Sequence, residues 1–253
     1  MANLDNIVIL GTPNRELPGA QVNNAQQPIR TSRYMEPYVH LVGGDSVNQL
    51  ADEGTYYTAT NATLGTALSG TAAPTAFSAT VALLSIFNSI AASAALGKSI
   101  FLHWLQLEVR AAGTNGTSFQ YAMSVDTGNR FASGGTAITP VNPNIGNTAS
   151  SAASIATVNF GAITAAAANN ARRVKHGQLR SVIKVIGDVY LFTFGRGQPV
   201  APGMVLEGSA QAFIPVMCPP VVLGPNSSFL LHEIAPSQSV AATYEFSAGW
   251  WER

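Results

Sequence analysis

The clearest pattern in the chain is an alternation of period two that begins near Ser99. In "SIFLHWLQLEVRAAGTNGTSFQYAMSV", Leu105, Leu107 and Val109 alternate with Gln106, Glu108 and Arg110, as in a strand with one buried face. Asn115–Gly116 is a favoured tight-turn pair and "SFQYAMSV" resumes the alternation beyond it, so the segment predicts a β-hairpin. A Gly/Pro/Asn/Ser-rich loop over 127–154 follows. Further strands are expected in "SIATVNFGAITAAA", "SVIKVIGDVYLFTF", "AQAFIPVMC", "SSFLLHEIA" and "ATYEFSAGWWE", separated by "GRGQPVAPG", "PPVVLGPN" and "PSQS". About eight strands punctuated by turn chemistry predict an all-β sandwich or barrel. No internal repeat of fixed period argues for a propeller or solenoid. Eight strands in two antiparallel sheets is the usual content of a jelly roll, the architecture expected here.

One stretch departs from period two. In "SATVALLSIFNSIAASAALGK", Leu83, Leu84, Phe87 and Ile90 fall at i, i+1, i+4 and i+7, one face of a helix. Ser78 or Thr80 suits its start and Gly97 its end, so one short helix is expected over 79–92. Upstream, "TYYTATNATLGTALSGTAAPTAF" has a linker-like composition, although the Tyr56–Tyr57 pair and its threonines suit a strand start. Residues 1–50 include "NNAQQPIRTSRYMEP", with two prolines and no apolar period, which predicts an irregular arm. The expected division is an arm over 1–50 and a β-sandwich over 51–253. In the last strand Tyr244, Phe246, Ala248 and Trp250 share one face, and Glu245, Ser247, Gly249 and Trp251 the other. Trp250 should therefore close the core. Trp251 needs cover from the arm, a neighbouring subunit or a ligand.

Composition sharpens the picture. The chain has 253 residues, 47% hydrophobic and only 10% charged, against about 25% charged in ordinary globular chains. A surface so poor in charge is weakly protected against self-association, which suggests that other subunits cover part of it. Thirteen basic and thirteen acidic residues balance, so the basic footprint of a nucleic-acid binder is missing. Cys218 stands alone in "VMCPPVV", which allows no intrachain disulfide and suits a small buried hydrophobe. The start lacks a basic region ahead of a long apolar run, and no stretch has the length of a membrane-spanning helix. The expectation is a soluble product made in a cytoplasm, with no membrane partner. The Asn-x-Ser/Thr matches at Asn61, Asn115 and Asn226 then carry little weight.

Chemical motifs are sparse. "ASAALGKS" approaches a phosphate-binding loop, but Ala92 replaces the first glycine and the expected helix precedes rather than follows it. His40, His103, His176 and His232 lack metal-ligand spacing, and alternation sends His232 and Glu233 to opposite faces. No Gly-x-Ser-x-Gly elbow occurs, and Cys218 has no base beside it. The acids after Glu108 are Asp126, Asp188, Glu207, Glu233, Glu245 and Glu252. Glu233 and Glu245 could meet across adjacent strands as a glycosidase pair, although surface carboxylates are the favoured reading. "ARRVKHGQLR" gathers Arg172, Arg173, Lys175, His176 and Arg180. It reads as a solvated hairpin tip or a protein contact, since nucleic-acid binding would call for interleaved aromatic residues. No catalytic, cofactor or metal site is expected, and the chain is read as a non-enzyme.

Several phrases together carry a resemblance: "EGTYYTATNATLGTALSG", "WLQLEVRAAGTNGTSFQYAMSVD", "NRFASGGTAITPVNPN", "GDVYLFTFG" and "LLHEIAPSQSVAATYEFSAGWWER". From about Glu53 to Arg253 the chain resembles a family of tailed-bacteriophage virion proteins. The resemblance implies a β-sandwich subunit that decorates and cements a capsid, located in the virion after synthesis in host cytoplasm. Its partners would be the major capsid protein or other virion proteins, with a homo-oligomer, a trimer, as the expected state. The alternative within the resemblance is a vertex, collar or tail component that binds host glycan, with Tyr56, Tyr57, Trp104 or Trp251 stacking on a sugar. Arg30, Arg33, Tyr34 and Tyr38 of the arm, with Trp251, are the expected partner contacts, because Arg and aromatic residues dominate interface hot spots.

Overall fold

The structure, a computed structural model, describes residues 51, 54–61, 63–71, 74–94, 97–145, 153–195 and 211–253. All belong to the unit Ser46–Arg253. The expected arm, with Arg30, Arg33, Tyr34 and Tyr38, lies outside the described residues, as does Glu207. The described residues form thirteen strands: β1 Tyr56–Thr60, β2 Leu68–Ser69, β3 Val81–Asn88, β4 Ile100–Ala111, β5 Phe119–Thr127, β6 Phe131–Ile138, β7 Ala156–Ala165, β8 Arg172–Arg180, β9 Val189–Phe194, β10 Phe213–Cys218, β11 Val222–Leu223, β12 Ser227–Ile234 and β13 Thr243–Glu252. Sheet I runs β1-β13-β4-β9-β10, with β2 on β13 and β11 on β4; sheet II runs β6-β7-β3-β12-β5-β8. Every pairing is antiparallel except β9 with β10.

The two sheets share one core. Leu105, Leu107 and Val109 of β4, Phe246 and Trp250 of β13 and Phe192 of β9 pack with Leu84 and Ile86 of β3, Met123 of β5, Phe160 of β7 and Phe229 of β12. Aromatic rings join the sheets in pairs: Phe119–Tyr190 at 4.8 Å, Tyr121–Phe192 at 5.2 Å, Phe160–Phe246 at 4.8 Å and Phe194–Phe229 at 5.8 Å between centroids. Offset or edge-to-face contacts of this kind add about 0.5–1.5 kcal/mol each beyond the area they bury. Trp250 is fully buried, as the alternation in β13 predicts.

Two sequence expectations are corrected. The run expected as a helix over 79–92 contains strand β3. It lies between β7 and β12 and is buried on both faces, Leu84 and Ile86 in the main core and Ala82 in a smaller cluster with Ile163, Ala165 and Leu230. A strand covered on both sides reads as continuous apolar sequence, which periodicity does not separate from a helix. Gly97 is no helix stop: a Cβ there would lie 2.3 Å from Pro225 Cγ, so the glycine lets two segments pass.

The predicted hairpin is also not one. Asn115 and Gly116 turn the chain with positive φ values of 57° and 114°, but β4 and β5 belong to different sheets. Turn chemistry specifies a reversal, not a pairing partner. The connection is held instead by the 236–240 loop, where Thr117 N donates to Pro236 O at 2.9 Å and Ser239 N to Thr114 O at 2.9 Å. The 127–154 loop contains strand β6, whose exposed Ser, Gly and Thr positions offer no alternation to read.

Buried charges fasten the ends of the sheets. Lys184, in the β8–β9 connection, donates to the Glu233 carboxylate of β12 and to Gln238 Oε1 at 2.8 Å, while the Tyr244 hydroxyl of β13 donates to Glu233 at 2.7 Å. Burial pulls the Lys184 ammonium below its ordinary pKa, and the Glu233 charge opposes that pull. Nearby, Asp188 accepts from Arg180 at 2.6 Å, Tyr190 at 2.9 Å, Val185 N at 2.8 Å and Ala212 N at 2.9 Å. Asp126 accepts from Arg130 at 2.6 Å and from the amides of Asn169 and Asn170 at 3.0 and 2.6 Å. Burial pushes Asp126 up, yet these hydrogen bonds together hold its pKa below the ordinary carboxylate value.

Glu233→Gln should therefore cost about 3–5 kcal/mol, because it leaves a buried ammonium without its counter-ion. Lys184→Met combined with Glu233→Gln should cost clearly less than Glu233→Gln alone. Urea unfolding of the two variants, compared at the same pH, checks both expectations.

Candidate functional site

Strand β4 carries a bulge that shapes the outer face of sheet I. Gly249 pairs with Trp104 and Trp250 with Leu102, leaving His103 as the extra residue. Inward-facing positions are therefore Ile100 and Leu102 before the bulge and Leu105, Leu107 and Val109 after it. The shift leaves Phe101, His103 and Trp104 outside the core. Trp251 stacks on Phe101 at 5.8 Å with an interplanar angle of 7°, and meets His103 edge-on at 5.6 Å. The Tyr56 hydroxyl hydrogen-bonds with His103 Nδ1 at 2.7 Å and accepts from Trp104 Nε1 at 2.9 Å. Gly249 lies beneath that hydrogen bond, where a Cβ would sit 2.3 Å from Tyr56 Oη and 2.5 Å from Trp104 Nε1.

The expected cover for Trp251 was an arm, a neighbour or a ligand. Part of it comes from β4 of its own sheet, and the ring is half-buried there. Tyr56 and Tyr57 diverge: Tyr57 enters the core and Tyr56 joins the outer cluster, so Tyr57 is not available for stacking on a sugar.

The rest of this face divides in two. Towards β10 it is apolar: Val222 beside Phe101, Val189 and Leu191 of β9, and Phe213, Pro215 and Met217 of β10. Phe213 and Met217 are each 44% exposed and Val222 52%. Towards β2 it is polar. Arg110 pairs with Glu108 at 3.0 Å and Glu245 at 2.9 Å, and Glu108, Glu245, Gln106 and Asn61 line a cleft of about 430 Å³. The apolar half is legible in "FIPVMC" only on the observation that both of its alternations are apolar.

The other candidates separate. Glu233 points into the core against Lys184, and Glu245 faces outward against Arg110, so they do not form a carboxylate pair. Cys218 is buried with its Sγ 3.7 Å from Met123 Sδ, and burial pushes its thiol up to about 11. His232 points away from Glu233. Its Nδ1 donates to Val81 O at 2.7 Å, which leaves Nε2 to accept the Ser124 hydroxyl at 3.0 Å. Phe77 covers it edge-on at 5.2 Å. This hydroxyl–imidazole pair ties β5, β12 and β3 together across the outer face of sheet II. Among the described residues no group of three or more His, Cys, Asp or Glu could hold a metal ion. No described helix is long and apolar enough to cross a membrane.

The basic cluster at 171–180 is not a hairpin tip. It forms β8, the outer strand of sheet II, with Arg172, Arg173 and His176 exposed and Arg180 turned inward to Asp188. Comparison with family models, with curated proteins and with solved structures finds no match.

Burial, together with the Arg130 and Arg173 charges, pulls His232 below its ordinary pKa, which is about 6.5. The unfolded chain then binds a proton as pH falls through about 6.5 while the folded chain does not. His232 should contribute stability that is present above that pH and is lost as pH falls towards the folded-state pKa. Urea midpoints measured from pH 7.5 to 5 should fall more steeply for the parent than for His232→Gln.

Proposed function

We propose that this chain is a non-enzymatic structural subunit of a tailed-phage virion, a jelly-roll-like sandwich that decorates and stabilises the capsid. The observation that carries the reading is the strand order. Take β1, β3, β4, β5, β8, β9, β12 and β13 as strands one to eight. The sheets then run 1-8-3-6 and 2-7-4-5, with the β6–β7 hairpin and β10 added at the edges. That order is the one expected of two Greek keys folded over each other, an architecture frequent in viral capsid and lectin domains, and it supports the jelly-roll reading. It joins the sequence resemblance from a separate direction, since strand order plays no part in the matching phrases.

The surface supports an assembly role. Phe213, Met217 and Val222 expose one apolar area beside the half-buried Trp104 and Trp251. Contiguous apolar surface of this kind marks interaction sites on soluble proteins. The proposed partners are the major capsid protein or other virion proteins, with a trimer of this chain as the working oligomer and the virion as its location. Arg30, Arg33, Tyr34, Tyr38 and Trp251 remain the proposed contacts, joined now by Phe213 and Met217. A second reading keeps the virion but places the chain at vertex, collar or tail as a glycan binder. It is favoured by Trp104 lying two residues along β4 from Gln106, which lines the polar cleft with Glu108 and Glu245.

Purified protein mixed with undecorated particles should co-sediment with them, and Phe213→Ser with Met217→Ser should lower that occupancy several-fold without unfolding the domain. Deleting residues 1–40 should abolish association. Full occupancy by both variants would exclude the assembly surface named here. Selective binding on a host-polysaccharide array, lost in Trp104→Ala, would favour the second reading.

A further inference from the structure

Strand β8 ends sheet II, and among the described residues its one strand partner is β5. Its outer edge carries no backbone hydrogen bond to any described residue. Arg172, Arg173, His176 and Gln178 along it are exposed. Lys175 reaches across to the Met217 carbonyl of β10, and Arg173 lies 4.6 Å above the Phe77 ring.

Charge makes this edge selective. Every described carboxylate is engaged elsewhere. Glu108 and Glu245 hold Arg110, Asp126 holds Arg130, Asp188 holds Arg180 and Glu233 holds Lys184. Glu252 accepts from Trp250, Ser154 and Ile155. Arg172 and Arg173 therefore have no counter-ion among the described residues. Beside Arg173 a cleft of about 260 Å³ opens between Phe77, Gln120, Tyr121, Arg173, His176 and Gln178. An open edge with a cleft beside it is what strand addition uses: backbone hydrogen bonds for affinity and a pocket for alternate side chains.

We propose that β8 is a docking edge for an extended acidic segment of a partner protein, which joins sheet II as its next strand. The proposal rests on reading the chain as an assembly subunit and names the chemistry of one partner. A second copy of β8 is disfavoured, because edge-to-edge pairing would set Arg172 and Arg173 against like charges. Single-stranded nucleic acid is disfavoured as well. It binds by stacking on open aromatic faces, and Phe77, the aromatic ring at this edge, is already engaged by Arg173 and His232.

The test uses the full chain and a fluorescent synthetic peptide alternating Glu with Thr. Anisotropy at low salt should give saturable binding that weakens as salt rises. Arg172→Glu with Arg173→Glu should weaken it about tenfold or more, because several exposed charge pairs are reversed together. Arg172→Lys with Arg173→Lys should retain it. Hydrogen exchange should slow at amides of 172–178 when peptide is bound. Unchanged affinity in the charge-reversed protein, or binding without slowed exchange, would overturn the proposal. So would tighter binding of oligo-uridine than of the peptide. Because the measurement needs no particle, its failure would leave the co-sedimentation test of the assembly role intact.

Discussion

The structure depends on where β13 sits. It lies between β1 and β4, so three segments distant in sequence must meet before sheet I exists. Its inward side chains, from Tyr244 to Trp250, then provide the surface on which sheet II closes. Contacts of such long sequence separation are slow to form, because loop-closure entropy is lost before any contact compensates it. The polar devices in the connections answer that difficulty. Asp126 gathers the chain around Arg130 and Asn170, and Asp188 gathers it around Arg180 and Ala212. Each holds a crossing between strands in a shape that the strands alone would not select.

This use of charge sets the character of the described surface. Asp126, Asp188, Glu233 and Glu252 are all buried, where each needs several donors to offset its desolvation. Among the described acidic side chains, Glu108 and Glu245 are the two that reach solvent. The outer faces are consequently defined by local residue type: aromatic near Trp251, aliphatic along β10, basic along β8.

Much of the fold could be read from the sequence, for identifiable reasons. β5, β13 and the part of β4 after Trp104 alternate cleanly, and the inward placement of Trp250 follows from that alternation. The opposite facing of His232 and Glu233 follows in the same way. β3 could not be read, because burial on both faces removes the period that distinguishes strand from helix. The β4–β5 connection misled because Asn115–Gly116 specifies a bend and leaves the partner strand open. At the candidate surface, the Tyr56–Trp104–Trp251 cluster depends on a bulge at His103, and a one-residue misregister leaves no mark in composition. The role of "ARRVKHGQLR" changed for a related reason: nothing local distinguishes the tip of a hairpin from the edge of a sheet.

Gly249 carries a mechanical consequence. Sliding β13 along β4 by two residues would preserve which side chains face inward. It would also bring Ser247 or Trp251 beneath the Tyr56–Trp104 hydrogen bond, where Cβ atoms are excluded at a clearance of 2.3 Å. The bulge and the glycine thus act as a detent, and sheet I resists shear along its strands. A load applied across its outer face would be met by a locked register before it reached the core.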